Sequence, residues 1–332
     1  MNDSLMIAAG SLSVESPDSF TIFGRRHETS HGNPEIDGSI LSAKARDLLA
    51  EVLYSTIHCC TTEGFSNPTN WSDAREFTDD LSAANSGTTS WQPGWVVSRV
   101  EPGQIVAAKH GVLFWIPDND FRPSRLPVQV GDDGCARVPK ECCNLMPGFY
   151  LAFGDSDGGV SNDSETVRVY WHLWSGGAKP LVETLTSILN RAGIPFALKL
   201  LGTPGAYPRS DAAVLYISAS GYQQLTGHLP GIYRKVRPWL RRSVSALAKP
   251  LAPGLGLAED PGDGSSFGQH RCVLLAGELS RAAVLSATDR AERLAAVLSR
   301  LKTMGWDPDR LYLNRGSVDR YPCLDAGELS GN

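Results

Sequence analysis

The chain has 332 residues, 42% of them apolar and 20% charged, a composition that buries a sizeable core and excludes wholesale disorder. Its formal charge of −5 and pI of about 5.8 exclude a global field that attracts nucleic acid or anionic membrane, so any anion site is local. The length suits two ordinary domains, expected at 1–155 and 160–325, with the boundary in the turn-rich stretch GDSDGGVSNDSE (154–165).

Residues 1–40 are rich in Ser, Gly, Pro and His and read as frayed. They lack the basic start and apolar run of a signal or anchor, which makes the cytoplasm the expected location. ILSAKARDLLAEVLYSTIHCC then places Leu41, Ala45, Leu48, Leu49, Val52 and Leu53 at helical spacing. Seven cysteines include the tandem pairs Cys59-Cys60 and Cys142-Cys143, whose spacing does not match zinc or redox motifs and reads as buried thiols. His58 beside Cys59 lacks a matching partner motif and reads as an ordinary core residue. NPTNWSDAREF through NSGTTSWQPG reads as loop, and from Trp95 to Phe153 short apolar runs between Gly and Pro read as strands.

The second half is more sharply patterned. In TVRVYWHLW, Val167, Val169, Trp171 and Leu173 share one strand face, expected in the core, while Arg168, Tyr170, His172 and Trp174 share the other, expected to offer chemistry. Pro180 opens a helix with a stripe of Leu181, Leu185, Ile188 and Leu189, closed by Gly193. PFALKLLG and AAVLYIS are further strands, the first carrying Lys199 beside Ala197 and Leu201, with the loop TPGAYPRSD between them. YQQLTGHLPGIYRKVRPWLRRSVSALAKP is helical in pieces, broken at Pro230 and Pro238. Its Arg234, Lys235, Arg237, Arg241 and Arg242 form the most basic surface in the chain, most simply a solvated helix face. Leu294, Val297, Leu298 and Leu301 mark another helix ending near Gly305, and DRLYLNRGSVDRY closes as a short strand and a polar loop. No repeat and no βα series occurs, so the expected fold is α+β, a mixed or antiparallel sheet with flanking helices.

The stretch LAPGLGLAEDPGDGSSFGQHR (251–271) reads as a long glycine-rich loop ending on a helix capped by Ser265 or Ser266. That helix presents its free N–H groups and positive dipole end to the loop, with His270 and Arg271 in its first turn. Cations there oppose the dipole by about 0.3–1 kcal/mol each, which a bound anion offsets; a pairing of Arg271 with Glu259 or Asp260 explains them equally well. The stretch lacks the ending of a P-loop and the continuation of a dinucleotide fingerprint, and the chain shows no metalloprotease, nucleophile-elbow or calcium-loop pattern. A bare phosphate or a phosphorylated side chain is the anion left.

Four blocks in order, VYWHLWSGGAKPLVETLTSILN, PFALKLLGTPGAYPRSDAAVLYIS, LAKPLAPGLGLAEDPGDGSSFGQHR and YLNRGSVDRY, resemble the HopA effector family over about residues 165–322. Relatives of this domain also occur in actinobacterial gene sets for ribosomally made peptides. There the resemblance implies a phosphoserine and phosphothreonine lyase, similar to parts of class V lanthipeptide and thioamitide pathways. It leaves dehydroalanine or dehydrobutyrine in a precursor peptide phosphorylated by an aminoglycoside-phosphotransferase-like kinase. The implied partners are that peptide and that kinase, with no nucleic acid and no membrane.

Eliminating phosphate requires a base for the Cα proton, an acid for the leaving oxygen and cations for the dianion, and no metal or redox cofactor. Lys199 is the expected base, needing partial burial or nearby cations because a free amine titrates near about 10.4. His172 is the expected acid. Arg209, Arg271 and Lys249 are expected to clamp the phosphate, with Tyr207, Asp211 and His270 orienting and Asn314 and Arg315 closing the site. Phosphothreonine lyases of the OspF and SpvC type also run His, Lys, Arg along the chain, but carry a Lys two residues before the His where this chain has Tyr170. Alternatives are a non-catalytic module that binds a phosphopeptide or kinase, and a lanthionine-type cyclase. A binder returns the phosphopeptide unchanged, and a cyclase consumes thiols without a change in mass.

Overall fold

The computed structural model describes residues 3–30, 41–61, 71–109, 112–143, 148–156, 166–207, 209–285, 290–325 and 327. The fold is α+β, and the chain forms two compact units that interleave along the sequence. The first comprises Met1–Phe65, Arg209–Asp211 and Arg242–Tyr321; the second comprises Ser66–Pro208, Ala212–Arg241 and Pro322–Asn332. Most of the expected boundary stretch, residues 157–165, lies outside the described residues.

In the first unit, the start is ordered where fraying was expected. A helix, Asp3–Ser11, leads into an antiparallel sheet of Ser13–Ser16, Ser19–Ile22 and Arg25–Glu28. Phe20 and Ile22, alternating on the middle strand, are fully buried, and two such side chains anchor a segment that is otherwise polar. Residues 31–40 of that expectation lie outside the described residues.

The amphipathic helix expected after Leu41 is Ala43–Leu53, capped by Ser42, whose Oγ accepts from Ala45 N at 3.3 Å and donates to Asp18 at 2.7 Å. It widens into one π-helical turn, Tyr54–His58, in which Cys59 N donates to Tyr54 O at 2.8 Å. Such a turn inserts one residue into the helix and rotates the side chains after it.

The expected loop from Leu251 is half hairpin. Lys249–Ala252 pairs antiparallel with Leu255–Glu259 around Pro253-Gly254, where Gly254 has φ +78°. Leu251, Leu255 and Leu257 are buried, so apolar side chains recruit the stretch into a strand despite its glycines. The helix after it, Phe267–Leu285, begins where expected, with Ser266 O accepting from His270 N at 2.8 Å and Ser266 Oγ from Gln269 N at 3.4 Å. It packs on Ala43–Leu53 and on the helix Arg290–Thr303, which closes at Gly305 with φ +82°. No strand forms across Leu311–Tyr321; in place of the expected one, a single backbone bond joins Glu259 N to Tyr312 O at 2.8 Å.

In the second unit, the helix Trp71–Ala84 stands where a loop was expected. Trp71, Ala74, Phe77, Leu81 and Ala84 recur at helical spacing, with Leu81 fully buried, so the pattern is present in a stretch whose polar residues read as loop. An antiparallel sheet comes next, in the order Val112–Pro117, Gln104–Lys109, Ser90–Glu101, Asp133–Val138, Phe121–Pro123. Trp95, Val97, Ile105, Ala107, Ile116 and Phe121 form its core.

The same unit holds five more antiparallel strands, ordered Thr166–Trp171, Ala213–Ser218, Ala197–Leu201, Phe149–Phe153, Glu141–Cys142. The helix Ala178–Arg191 buries Leu181, Val182, Leu185 and Leu189, and Gly193 comes after it with φ +67°. Ala219–Thr226 and Leu229–Val236 are the expected helical pieces.

Candidate active site

The five-strand sheet places two of the expected residues on one face. Lys199 pairs with Val214, and Val214 pairs with Tyr170; one row on, Ala197 pairs with Tyr216 and Tyr216 with Arg168. His172, two residues beyond Tyr170, points to the same side. Lys199 therefore sits two strands away, about 10 Å in backbone terms, in the row between those of Arg168 and His172. The Lys199 amine itself leans the other way, over the Phe149 ring on the neighbouring strand.

On Thr166–Trp171 the face expected to offer chemistry is as buried as the face expected in the core. Every residue from Val167 to Leu173 is buried, His172 at 2% and Arg168 at 8% exposure. The Arg168 guanidinium lies 5.2 Å from the Tyr216 ring, and Lys199 Nζ lies 4.0 Å from the ring centre of Phe149. Polar groups on this face are thus held among aromatic rings, in a setting where charge interactions are less screened than in water. Tyr207 is buried, its hydroxyl donates to Leu201 O at 3.0 Å, and burial pushes its phenol well above the usual range. That hydroxyl braces the end of the Lys199 strand instead of reaching substrate.

Within the first unit, Arg209 and Asp211 form a two-pronged ion pair, Nε–Oδ1 2.7 Å and Nη2–Oδ2 2.6 Å. The Tyr54 hydroxyl joins them, accepting from Arg209 Nη2 at 3.2 Å and donating to Asp211 Oδ2 at 3.1 Å. His58 Nε2 stands 4.0 Å from the same oxygen, and its Nδ1 is 2.9 Å from Ser245 Oγ. Burial pushes the Asp211 carboxyl up, but Arg209, His58 and Tyr54 outweigh it and hold the group at about 2. Burial, reinforced by Asp211, pushes the neighbouring Tyr54 phenol and Cys59 thiol well up.

The sequence reading missed Tyr54, His58 and Cys59 as members of this cluster. Their common signal is the π-helical turn, which leaves no mark in the hydrophobic pattern. Arg209, expected on phosphate, spends its fork on Asp211.

Arg271 is completely buried. It donates from Nε to Leu311 O at 2.8 Å and from Nη2 to Leu313 O at 3.0 Å and Asn314 Oδ1 at 2.9 Å, while Nη1 meets His270 Nδ1 at 2.8 Å. Trp306 covers one side, 4.2 Å from the guanidinium. Arg271 therefore ties the helix start to the carboxyl-terminal segment and offers no surface to a phosphate, contrary to the role expected for it. Backbone carbonyls take the place of the anion expected at this helix start.

Asn314 is equally engaged, its N–H on Glu259 at 2.7 Å and its Nδ2 on Asp260 O at 2.6 Å. Lys249 is paired with Asp319 at 2.6 Å, and Tyr312 OH donates to the same carboxylate at 2.7 Å. His270, Asn314 and Arg315 do meet at one place, an open cleft of about 760 Å³ also lined by Trp306, Met304 and Pro261. Burial, then Arg271, lowers the His270 pKa below its ordinary value.

Among the described residues, no group of three or more His, Cys, Asp or Glu is placed to hold a metal ion, and no helix is long and apolar enough to cross a membrane.

An α+β chain with a Lys, Arg and His face on an antiparallel sheet is the class these observations define. The chain belongs to the HopA1 effector protein family, whose model matches residues 141–313. Among solved structures, it is similar to the effector protein from Pseudomonas syringae pv. tomato strain DC3000 at 16% identity and TM-score 0.46, covering 86% of this chain and 92% of that one. It is also similar to the effector protein from Pseudomonas syringae pv. syringae strain 61, at 16% identity and TM-score 0.44, covering 81% and 95%. No curated protein matches it.

Proposed function

We propose that this protein is a phosphoserine/phosphothreonine lyase that acts on a phosphorylated precursor peptide, a carbon–oxygen lyase of ribosomal peptide biosynthesis with a kinase as its upstream partner. The observation that carries the reading is the row order on the sheet face, with Lys199 between the rows of Arg168 and His172. In this reaction the Lys199 amine takes the Cα proton. The electron pair left on Cα forms the Cα–Cβ double bond as the Cβ–O bond breaks. His172 gives a proton to the departing oxygen, and Arg168 balances the charge gathering on phosphate. Product is a dehydro residue and inorganic phosphate.

Arg168 here replaces Arg271 and Arg209, whose donors serve the fold. It lies four residues before His172 on the same face, and so supplies the cation that the better-known lyases place two residues before their His, where this chain has Tyr170.

Incubation with a phosphothreonine peptide, with neither metal nor nucleotide added, is expected to lower the peptide mass by about 98 Da, and Lys199→Ala to abolish the change. Return of the intact phosphopeptide by folded wild-type protein contradicts the reading.

A further inference from the structure

From Ala212 to Ala258 the chain carries six cations, Arg234, Lys235, Arg237, Arg241, Arg242 and Lys249, and no Asp or Glu, although the whole chain is acidic. Four of them belong to the second unit, within or just after the helix Leu229–Val236. That helix buries Leu229, Ile232, Tyr233 and Val236 and turns Arg234 and Lys235 outward; Arg237 is exposed as well. Cations at a helix C-terminus are favourable to the dipole, which suits Arg234, Lys235 and the C-cap Arg237, and from there the chain leads through Arg237 to Arg241.

Those two sit on a segment tied to the proposed active face. Arg241 N donates to His172 O at 2.8 Å, Leu240 bridges to Leu173, and Trp174 N donates to Trp239 O at 2.9 Å. The segment is pressed close, since a Cβ on Gly177 would fall 2.5 Å from Trp239 Cβ. Beside it Trp174 leaves 53% of its surface in solvent, with the Arg241 guanidinium 4.5 Å from its ring. An exposed indole with an arginine guanidinium over its ring, on a segment that carries no Asp or Glu of its own, suits an anionic chain that also carries apolar groups.

We propose that Trp174, Lys235, Arg237 and Arg241 form the docking surface for an acidic segment of the peptide substrate, outside the residue that reacts. Trp174 is two residues from His172, about 7 Å along the strand, so a peptide held there delivers its next residues to the catalytic face. Charge complementarity selects the occupant. A net charge of −5 repels polyanions such as RNA and anionic membranes at long range, whereas a short carboxylate-rich segment meets only the local patch. That the docked chain is a substrate, and its delivery, rest on the lyase reading; that an acidic peptide docks here does not.

The test uses the full chain and four probes: an unphosphorylated acidic peptide with one aromatic residue, its Gln/Asn counterpart, and a short phosphothreonine peptide, uncharged apart from its phosphate, without and with the acidic segment attached. Fluorescence anisotropy is expected to show at least tenfold tighter binding of the acidic peptide than of its neutral counterpart. Raising salt should weaken this binding, and Lys235→Gln/Arg237→Gln/Arg241→Gln should remove it. Trp174→Ala should weaken it with the charges intact, and unchanged circular dichroism identifies variants that still fold. Equal binding of acidic and neutral peptides, or an unaffected triple variant, overturns the proposal, as does preference for an RNA oligonucleotide or phosphatidylserine vesicles. If the acidic peptide docks as described but neither phosphopeptide loses phosphate, docking stands and the lyase reading falls. If both lose phosphate at the same KM, catalysis stands and docking falls.

Discussion

Arg271 shows how a cation that invites an anion in the sequence can be spent on the fold. A positive side chain in the first turn of a helix invites an anion, yet Arg271 is satisfied by the carbonyls of Leu311 and Leu313 and the amide of Asn314. Arg271→Met keeps most of the volume but strands those acceptors, at about 1–3 kcal/mol for each group left unsatisfied. Urea unfolding is expected to show that loss, while the phosphate released per folded molecule stays near the wild-type value; a folded variant with no turnover would return Arg271 to the reaction.

Asp211 makes a related case, with its carboxyl held near 2 against an ordinary value of 3.8. A carboxyl whose folded value is depressed gives stability that is whole above its unfolded value and is lost as pH falls through the folded one. The Arg209–Asp211 contribution should therefore be present above about pH 4 and decline toward pH 2, and acid titration of the melting temperature of Asp211→Asn against wild type reads it. The gap between the two curves should close in acid.

At the scale of elements, what the sequence made legible is what repeats along a strand or helix. The alternation in TVRVYWHLW put Arg168, Tyr170 and His172 on one face, and the pairing through Val214 added Lys199 to it. Both helices of the carboxyl-terminal third begin or end within a residue or two of the signals that announce them, Ser266 and Gly305. Illegible were features that depend on distant partners. The hairpin at Lys249–Glu259 overrides a Gly-Pro composition by burying three leucines. The π-helical turn at Tyr54–His58 is another such feature, and a close approach in the first unit fixes it. A Cβ on Gly268 would lie 2.6 Å from both Cγ and Nε2 of His58. Gly268→Ala should therefore cost about 1–3 kcal/mol in chemical denaturation, as overpacked cores do, and disturb the Tyr54–Arg209–Asp211 cluster. A neutral result would mean that the His58 ring has room to move.

For the whole molecule, the two units draw on separated stretches of chain, so the expected division into an amino-terminal and a carboxyl-terminal domain does not describe how contacts are shared. The family match at 141–313 likewise takes in parts of both units. A stretch with six cations and no Asp or Glu, in a chain of net charge −5, suits the proposed docking of a short acidic ligand without the collection of polyanions. The proposed function turns on one chemical event, removal of a Cα proton with departure of phosphate from Cβ, and isotope labelling tracks that proton. A phosphothreonine peptide deuterated at Cα should lose about 99 Da, the deuterium passing to the base and on to solvent as phosphate departs, and should react more slowly than its protium form. A loss of about 80 Da with the deuterium retained would mean hydrolysis to threonine and would contradict the elimination.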